Sequence, residues 1–162
     1  MVKMRQFEAW YAQEHPALIV AVTLLTGDVD VASDVTAEAF SRALEHWDDV
    51  SAMENPAGWT YVVAVNLLRR RWHRLRLEAG ALLRHTRDGP PPQLADTKVD
   101  IYRAVRSLPK RARAAVVLRY FGGLSEAEVA KAMGVSVGTA SASLSQARQR
   151  LSVLLADYVE LP

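Results

Sequence analysis

The sequence predicts an all-α protein made of two small helical domains, the second of which contains a helix-turn-helix. Apolar residues recur at spacings of three and four along most of the chain, which is typical of helices with one buried face. Alternating strand patterns and the turn pairs of β-hairpins are nearly absent. The Pro-rich segment 88–92 cannot continue a helix, so we expect domains at 1–85 and 98–162 joined by a linker at 86–97.

The first predicted helical region covers residues 7–25. We expect it to be bent or broken at His15-Pro16, because proline lacks an amide donor and disfavours helix before it. Gly27 ends this region.

A second helix follows, with Asp28 or Asp30 as its cap, and is predicted to run to about Trp47. Its apolar face consists of Ala32, Val35, Ala39, Phe40, Ala43, Leu44 and Trp47.

The third helix begins at Asn55-Pro56, where Asn caps the helix and Pro occupies the first turn. It then enters the arginine-rich run 69–76, so its second half is strongly cationic. Its apolar side is predicted to contain Trp59, Val62, Val63 and Leu67.

The second domain is predicted to open with two helices. The first contains Val99, Tyr102, Val105 and Leu108. Pro109 opens the next one, and Gly122-Gly123 ends it. The apolar positions of that helix are Ala112, Val116, Val117 and Tyr120.

Residues 125–151 match a helix-turn-helix. Residues 125–128 form a capping box that starts a short helix. Gly134 then supplies a left-handed turn, and Ser136 caps the last helix. A small residue, Ala130, stands where the two helices cross. Val137, Ala140, Leu144, Ala147, Leu151 and Leu154 are predicted to point inward. This pattern favours a DNA-binding element over a hairpin that merely packs.

The charge is distributed unevenly along the 162 residues, although the net charge is only +2. Residues 1–68 carry −7, residues 69–87 carry +6, residues 88–100 carry −2 and residues 101–162 carry +5. The acidic segment 1–68 and the basic segments 69–87 and 101–162 indicate different partners for different parts of the chain.

Composition excludes several classes of protein. No apolar run is long enough to span a membrane, and charged and polar residues interrupt the apolar core that a signal peptide would need. We therefore expect a cytoplasmic chain without membrane insertion. The absence of cysteine excludes disulfides and thiolate metal sites.

No pattern typical of catalysis is present, so we expect no enzyme activity, no cofactor and no metal. Phosphate-binding glycine loops and nucleophile elbows are absent. The histidines lie far apart in the sequence, without metal-ligand spacing. They are His15, His46, His73 and His85.

The arginine run alone is equally compatible with nucleic-acid contact and with a solvated helix face. Trp72 and His73 within it favour contact, because aromatic rings stack on exposed bases.

Together these segments resemble the extracytoplasmic-function (ECF) sigma factors, two-domain bacterial proteins that direct RNA polymerase to promoters. Residues 32–40 (ASDVTAEAF) resemble the polymerase-binding helix of that family. Residues 59–66 (WTYVVAVN) and the arginine run resemble the segment that melts and reads the −10 element. Residues 108–121 and Gly138-Thr139 resemble the domain that reads the −35 element.

The resemblance implies that residues 1–85 form a region 2-like domain and residues 98–162 a region 4-like domain. It assigns polymerase binding to Asp34, Val35, Glu38 and Phe40. It assigns the −10 element to Trp59, Asn66, Arg69, Arg70, Trp72 and Arg74. It assigns the −35 element to Arg113, Arg119, Ser136, Thr139, Ser141, Ser145, Gln146 and Arg148.

This chain departs from the family pattern in two places. Ala37 stands where the family usually has Gln in the polymerase-binding helix. The recognition helix has Ser141, Ser143 and Gln146 where the family usually has Lys or Arg. We therefore expect the second domain to bind duplex DNA weakly for its family.

The implied partners are core RNA polymerase, promoter DNA and a possible anti-sigma factor. Two alternatives remain open on the residues alone. One is a sigma-like regulator or mimic that binds polymerase or an anti-sigma factor but initiates poorly. The other is a helical protein-binding adaptor, which would need neither the arginine run nor the capped helix-turn-helix.

Overall fold

The computed structural model describes residues 1–78 and 96–156, and eight α-helices and one π-helical segment account for most of them. No strand occurs within those two ranges, in agreement with the all-α prediction. Residues 86–95 of the predicted linker lie outside the described residues, and α5 begins at Asp96.

The first domain consists of α1 (Val2–Thr26), α2 (Val29–Glu45), α3 (Trp47–Ser51) and α4 (Pro56–Glu78). Helices α1, α2 and α4 pack against one another around a core of aliphatic and aromatic side chains. The second domain consists of α5 (Asp96–Arg106), α6 (Lys110–Val116), the π-helical segment Val117–Phe121, α7 (Glu126–Met133) and α8 (Val137–Leu154).

Helix α1 continues through Pro16, so the predicted break is wrong. Pro16 and Ala12, whose carbonyl would have accepted the missing hydrogen bond, both lie at the surface. Water can satisfy that carbonyl, which makes the lost hydrogen bond tolerable.

Gly27 and the cap of α2 lie where the sequence predicts them. Gly27 closes α1 with a left-handed φ of 73°. Of the two candidate caps for α2, Asp28 is the one used, and its carboxylate accepts hydrogen bonds from the amides of Asp30 and Val31. Helix α2 ends at Glu45, slightly earlier than predicted, and α3 contains Trp47.

Several predicted apolar positions are exposed. The exposed side chains are Leu44, Tyr120, Val137 and Leu154. On α4 the buried apolar side chains are Tyr61, Ala64 and Leu68, with Thr60 buried beside them, whereas the four predicted residues are only half-buried. The reason is that α4 packs on α1 and α2 and also contacts α7 and the π-helical segment.

The two domains contact each other through α1 and α4. The C-terminal end of α1 accepts three hydrogen bonds from the second domain. Tyr102 Oη donates to the Thr23 carbonyl (3.3 Å), Arg106 donates to the Leu24 carbonyl (3.1 Å) and Arg113 donates to the Leu25 carbonyl (3.4 Å). The Thr23 carbonyl also accepts from the Gly27 amide (2.8 Å), whereas the Leu24 and Leu25 carbonyls belong to the last turn, where backbone acceptors lack a partner from a following turn of helix.

Candidate nucleic-acid interface

The second half of α4 presents a cationic surface. Arg69, Arg70 and Arg74 are exposed, and the Trp72 side chain is 42% exposed. Arg70 and Arg74 are four residues apart and share one side of α4, whereas Trp72 is two residues from each of them and lies on another side. Cations and aromatic rings are the groups that hold the phosphates and bases of a single strand.

The remaining predicted −10 residues, Trp59 and Asn66, are half-buried and line a cleft of about 1,020 Å³. The other wall of this cleft comes from the second domain and includes Glu126, Glu128 and Lys131. In this arrangement α7 therefore faces the side of α4 that carries Asn66.

The helix-turn-helix is built as predicted. The Ser125 hydroxyl accepts from the Glu128 amide (3.2 Å), and the Glu128 carboxylate accepts from the Ser125 amide (2.7 Å). Gly134 has a φ of 67°, a left-handed conformation that suits glycine at the turn. Ser136 Oγ accepts from the Thr139 amide (3.1 Å) and so caps α8.

Helix α8 is anchored by Ala140, Leu144 and Ala147, which are buried. The predicted −35 residues occupy its other sides: Ser136, Ser145, Gln146 and Arg148 are exposed, and Thr139 and Ser141 are half-buried. The N-terminal half of α8 thus presents mostly neutral hydrogen-bonding groups.

A shallow groove of about 580 Å³ runs along this part of α8. Its lining includes Gly138, which belongs to the Gly138-Thr139 pair of the family resemblance, and Ala142, which sequence reasoning did not single out because it carries no polar side chain. Their position opposite the buried Ala140 and Leu144 is the signal that places them on the exposed face.

Two other predicted −35 residues are engaged inside the protein. Arg113 donates to the carbonyls of Arg106 (2.8 Å) and Leu108 (3.0 Å), as well as to the end of α1. Burial, followed by the neighbouring charge of Arg106, lowers the pKa of the Arg113 guanidinium. Arg119 donates to the carbonyl of Leu124 (2.8 Å).

The four residues predicted to bind polymerase divide into two pairs. Asp34 and Glu38 are exposed on α2, and Glu38 pairs with Arg42 one turn later (2.9 Å). Val35 and Phe40 are buried, and Phe40 packs edge-on against Trp10 and Tyr11. The buried pair fixes the helix, and the acidic pair is available to a partner.

Within 1–78 and 96–156, no three acidic or histidine side chains converge to hold a metal ion. None of the described helices combines the length and the apolar character that crossing a membrane requires.

Two family models match the chain in order. Sigma-70 region 2 matches residues 10–78, and Sigma-70 region 4 matches residues 98–151. The first match includes α2 and the cationic surface of α4. The second includes the helix-turn-helix.

Curated relatives resemble nearly the whole chain. An ECF RNA polymerase sigma factor, EcfG of Rhodopseudomonas palustris, is 31% identical over 149 residues, which cover 90% of this chain and 81% of EcfG. The ECF sigma factor SigL of Mycobacterium tuberculosis is 30% identical over 155 residues, covering 89% of this chain and 86% of SigL.

Two solved structures share the fold. The sigma factor RpoE of Bartonella quintana, crystallised with the anti-sigma factor NepR, superimposes with a TM-score of 0.69 at 23% identity. The match covers 94% of this chain and 98% of RpoE. CnrH, in complex with the cytosolic domain of CnrY, gives a TM-score of 0.57 at 23% identity, covering 95% of this chain and 90% of CnrH.

Proposed function

Because this chain belongs to the ECF RNA polymerase sigma factors, we propose that its two domains read two elements of one promoter. As a sigma factor, it binds core polymerase and directs promoter-specific initiation. In our proposal, residues 1–85 bind polymerase and the −10 element, residues 86–97 link the domains, and residues 98–162 bind the −35 element.

The first domain uses two different surfaces in this proposal. The exposed carboxylates of Asp34 and Glu38 on α2 contact polymerase. The arginines of α4 bind the phosphates of the melted strand, Trp72 stacks on a base, and Asn66 hydrogen-bonds to an unpaired base edge. Acidic and basic surfaces on one domain then serve a protein and a nucleic acid respectively.

The second domain places the N-terminal half of α8 in the major groove. Its capped N-terminus offers backbone amides to phosphate, and Gln146 suits adenine, with which an amide side chain makes two hydrogen bonds. Because this face is nearly neutral, contacts to phosphate contribute little. The −10 element and the attachment to polymerase therefore contribute most of the promoter affinity.

We also propose that an anti-sigma factor regulates this chain. The structures of Bartonella RpoE and CnrH are complexes with NepR and with the cytosolic domain of CnrY. In this chain an apolar groove of about 590 Å³ lies where α1 meets α5, and its lining includes Ile19, Val20, Ile101, Val105 and Phe121. An amphipathic helix of the regulator fits such a groove.

In this proposal the chain binds polymerase and DNA and catalyses no reaction itself, because sigma factors are initiation factors and polymerase synthesises the RNA. Polymerase and promoter DNA are both cytoplasmic in bacteria, so we place the chain in the cytoplasm.

The observation that supports this function best is the ordered match to regions 2 and 4, with an exposed cationic helix in the first and a capped helix-turn-helix in the second. The test is transcription of sheared genomic DNA by core polymerase with and without the purified chain, followed by sequencing of RNA 5′ ends. We expect new start sites that share two upstream elements. Start sites identical to those of core polymerase alone would contradict the proposal.

A further inference from the structure

The hydroxyl of Tyr120 meets the guanidinium of Arg148 on the surface of the second domain. Arg148 Nη1, on α8, donates to Tyr120 Oη, on the π-helical segment (3.3 Å). Both side chains are exposed, and that of Tyr120 is 56% exposed. The apolar periodicity predicts a buried residue here, so packing does not explain why a tyrosine lies at the surface.

Arg148 differs from the other arginines assigned to the −35 element. Arg113 and Arg119 donate to backbone carbonyls within the protein. Helix α8 contains no cation before Arg148. Within residues 1–78 and 96–156, Arg148 forms no ion pair. Its charge is therefore available to a partner.

Arg148 lies on a flank of the predicted recognition face. Thr139, Ala142 and Gln146 follow one another at spacings of three and four and line the shallow groove on α8. Ser145 precedes Gln146 by one residue and so lies about 100° round the helix from it. Arg148 is three residues beyond Ser145 and shares its side. The guanidinium thus belongs beside the groove and not within it.

A helix in the major groove places such a flank close to the DNA backbone. The groove is about 12 Å wide, and a helix with its side chains is about 10 to 12 Å across. When one side of the helix faces the base edges, the flanks approach the phosphates. Phosphate contacts fix the register of a protein on the duplex, whereas base contacts read its sequence.

The two groups have the donors to hold one phosphate together. A tyrosine hydroxyl both accepts and donates, so Tyr120 can accept from Arg148 and donate its own hydrogen to a phosphate oxygen. A guanidinium has five N–H donors, and the bond to Tyr120 uses only one of those on Arg148. The hydroxyl also holds the long arginine side chain in one orientation, which reduces the conformational freedom lost on binding.

We propose that Tyr120 and Arg148 bind one backbone phosphate of the upstream promoter duplex, and that Tyr120 is a positioning residue for the Arg148 guanidinium. This inference rests on the proposed function of the second domain. It adds a residue from outside the recognition helix to the DNA-binding surface. The pair supplies positive charge beside a groove whose lining residues are all uncharged.

The salt dependence of binding distinguishes positioning from packing. Arg148→Gln removes one cation, which should lower the slope of log affinity against log salt concentration by up to about 0.9. Tyr120→Phe changes no charge and keeps the aromatic ring. It should nevertheless flatten the slope, because an arginine that is no longer held spends less time on the phosphate. A tyrosine that only packs would leave the slope unchanged.

Affinity is measured for core polymerase with the full chain, on a fluorescein-labelled duplex that carries the upstream element of a mapped promoter and ends before the −10 element. Melting then makes no contribution. The variants are Tyr120→Phe, Arg148→Gln and the double variant. The matched controls are Tyr11→Phe, which removes a partly exposed hydroxyl from α1, and Arg103→Gln, which removes an exposed cation from α5. Circular dichroism verifies that each variant is folded.

We expect Tyr120→Phe and Arg148→Gln to weaken binding and to flatten its salt dependence. The double variant should have the slope of Arg148→Gln alone, since Tyr120 acts on the slope only through Arg148. Neither control should change the slope. A wild-type slope for Tyr120→Phe would overturn the positioning role, and a wild-type slope for Arg148→Gln would remove the pair from the DNA interface.

Uncharged methylphosphonates, introduced into the duplex one at a time, locate the contact. At one position wild type should lose affinity, whereas Tyr120→Phe and Arg148→Gln should lose less, because they have already lost that contact. The absence of such a position would also overturn the proposal. Failure of the sigma-factor function is a separate result, in which wild type adds no start sites to core polymerase.

Discussion

Individual arginines of this chain differ in what they are available to do. Arg70 and Arg74 are exposed on α4, whereas Arg69 donates to α7 and Arg113 is half-buried against the ends of α1 and α5. An exposed arginine can bind a phosphate directly. An arginine that already donates to a backbone carbonyl must first break that hydrogen bond. The contribution of each arginine to DNA binding should differ accordingly.

We predict that Arg70→Ala and Arg74→Ala weaken strand binding and flatten its dependence on salt. Each phosphate contact to a single strand contributes about 0.7 to the slope of log affinity against log salt concentration. The measurement is a fluorescence titration at several salt concentrations, with Arg5→Ala on α1 as the control. Equal slopes for all three variants would remove Arg70 and Arg74 from the interface.

We predict a pH-dependent contribution of the capping box to stability. Hydrogen bonds from the backbone and then the side chain of Ser125 lower the pKa of the Glu128 carboxyl. A lowered folded-state pKa stabilises the fold above the unfolded value of about 4.3, and this stabilisation is lost as the pH falls through the folded-state pKa. The charge contributes nothing once both states are protonated.

Urea unfolding of wild type and Glu128→Gln tests this from neutral to acidic pH, because glutamine retains the capping geometry without the titratable charge. The difference in unfolding free energy should shrink below about pH 4. A difference that stays constant down to about pH 3 would show that the charge is not responsible.

Caps could be predicted at the residue scale because they depend on neighbours in sequence. Asp28, Ser125 and Ser136 each accept from an amide two or three residues away. The role of Arg113 could not be predicted, since its partner Leu25 lies far away in sequence. Asn55 shows both cases, with a local cap that was predicted and a contact to Gly122 that was not.

The positions of the helices along the chain follow from the apolar periodicity. The buried residues of a helix are predicted wrongly where the helix packs against neighbours on two sides or where its geometry is not α-helical. Helix α4 packs against its own domain on one side and against the second domain on another, so its buried residues do not form a single stripe. Tyr120 interrupts the predicted apolar face because the π-helical segment changes the angle between successive side chains.

At the element scale we predict that restoring charge to α8 strengthens duplex binding. Ser141→Lys with Gln146→Arg, in the full-length chain, should steepen the salt dependence by up to about 0.9 for each phosphate that the new cations neutralise. Binding to duplex fragments of a mapped promoter at several salt concentrations provides the measurement.

The matched control is Ser152→Lys with Gln13→Arg, which adds the same charge at exposed positions away from the N-terminal half of α8. If the test and control variants bind duplex DNA equally, the recognition face of α8 has been placed incorrectly.

At the scale of the whole molecule, the acidic residues 1–68 and the basic run 69–87 match partners of opposite charge. Reversing the acidic pair on α2, with Asp34→Lys and Glu38→Lys, should reduce binding to core polymerase. The helix should remain folded, since the lost pair with Arg42 is exposed and such pairs contribute only about 0.3 to 0.5 kcal/mol.

A pull-down of core polymerase measures this, and Glu8→Lys with Asp49→Lys on exposed parts of α1 and α3 controls for the change in net charge. Retention of full polymerase binding by the α2 variant, with its circular dichroism unchanged, would assign the polymerase contact to another surface.

The closed arrangement of the domains could not be predicted from the sequence. It depends on Asn55, Arg69 and Arg106 meeting carbonyls of the other domain, and no local pattern encodes such pairs. By contrast, membership of the ECF sigma factors followed from motifs in order along the chain. Order is visible in a sequence, but contact between distant segments is not.

The most direct test of promoter reading is run-off transcription by core polymerase from one mapped promoter, with wild type and Asn66→Ala, on two templates. One template is fully duplex and the other is unpaired in advance over the −10 element. Because bases that are already unpaired need no melting, we expect Asn66→Ala to lose transcript on the duplex and to regain most of it on the unpaired template. Equal transcription by Asn66→Ala and wild type on the duplex, or no transcript with wild type on either template, would contradict the account.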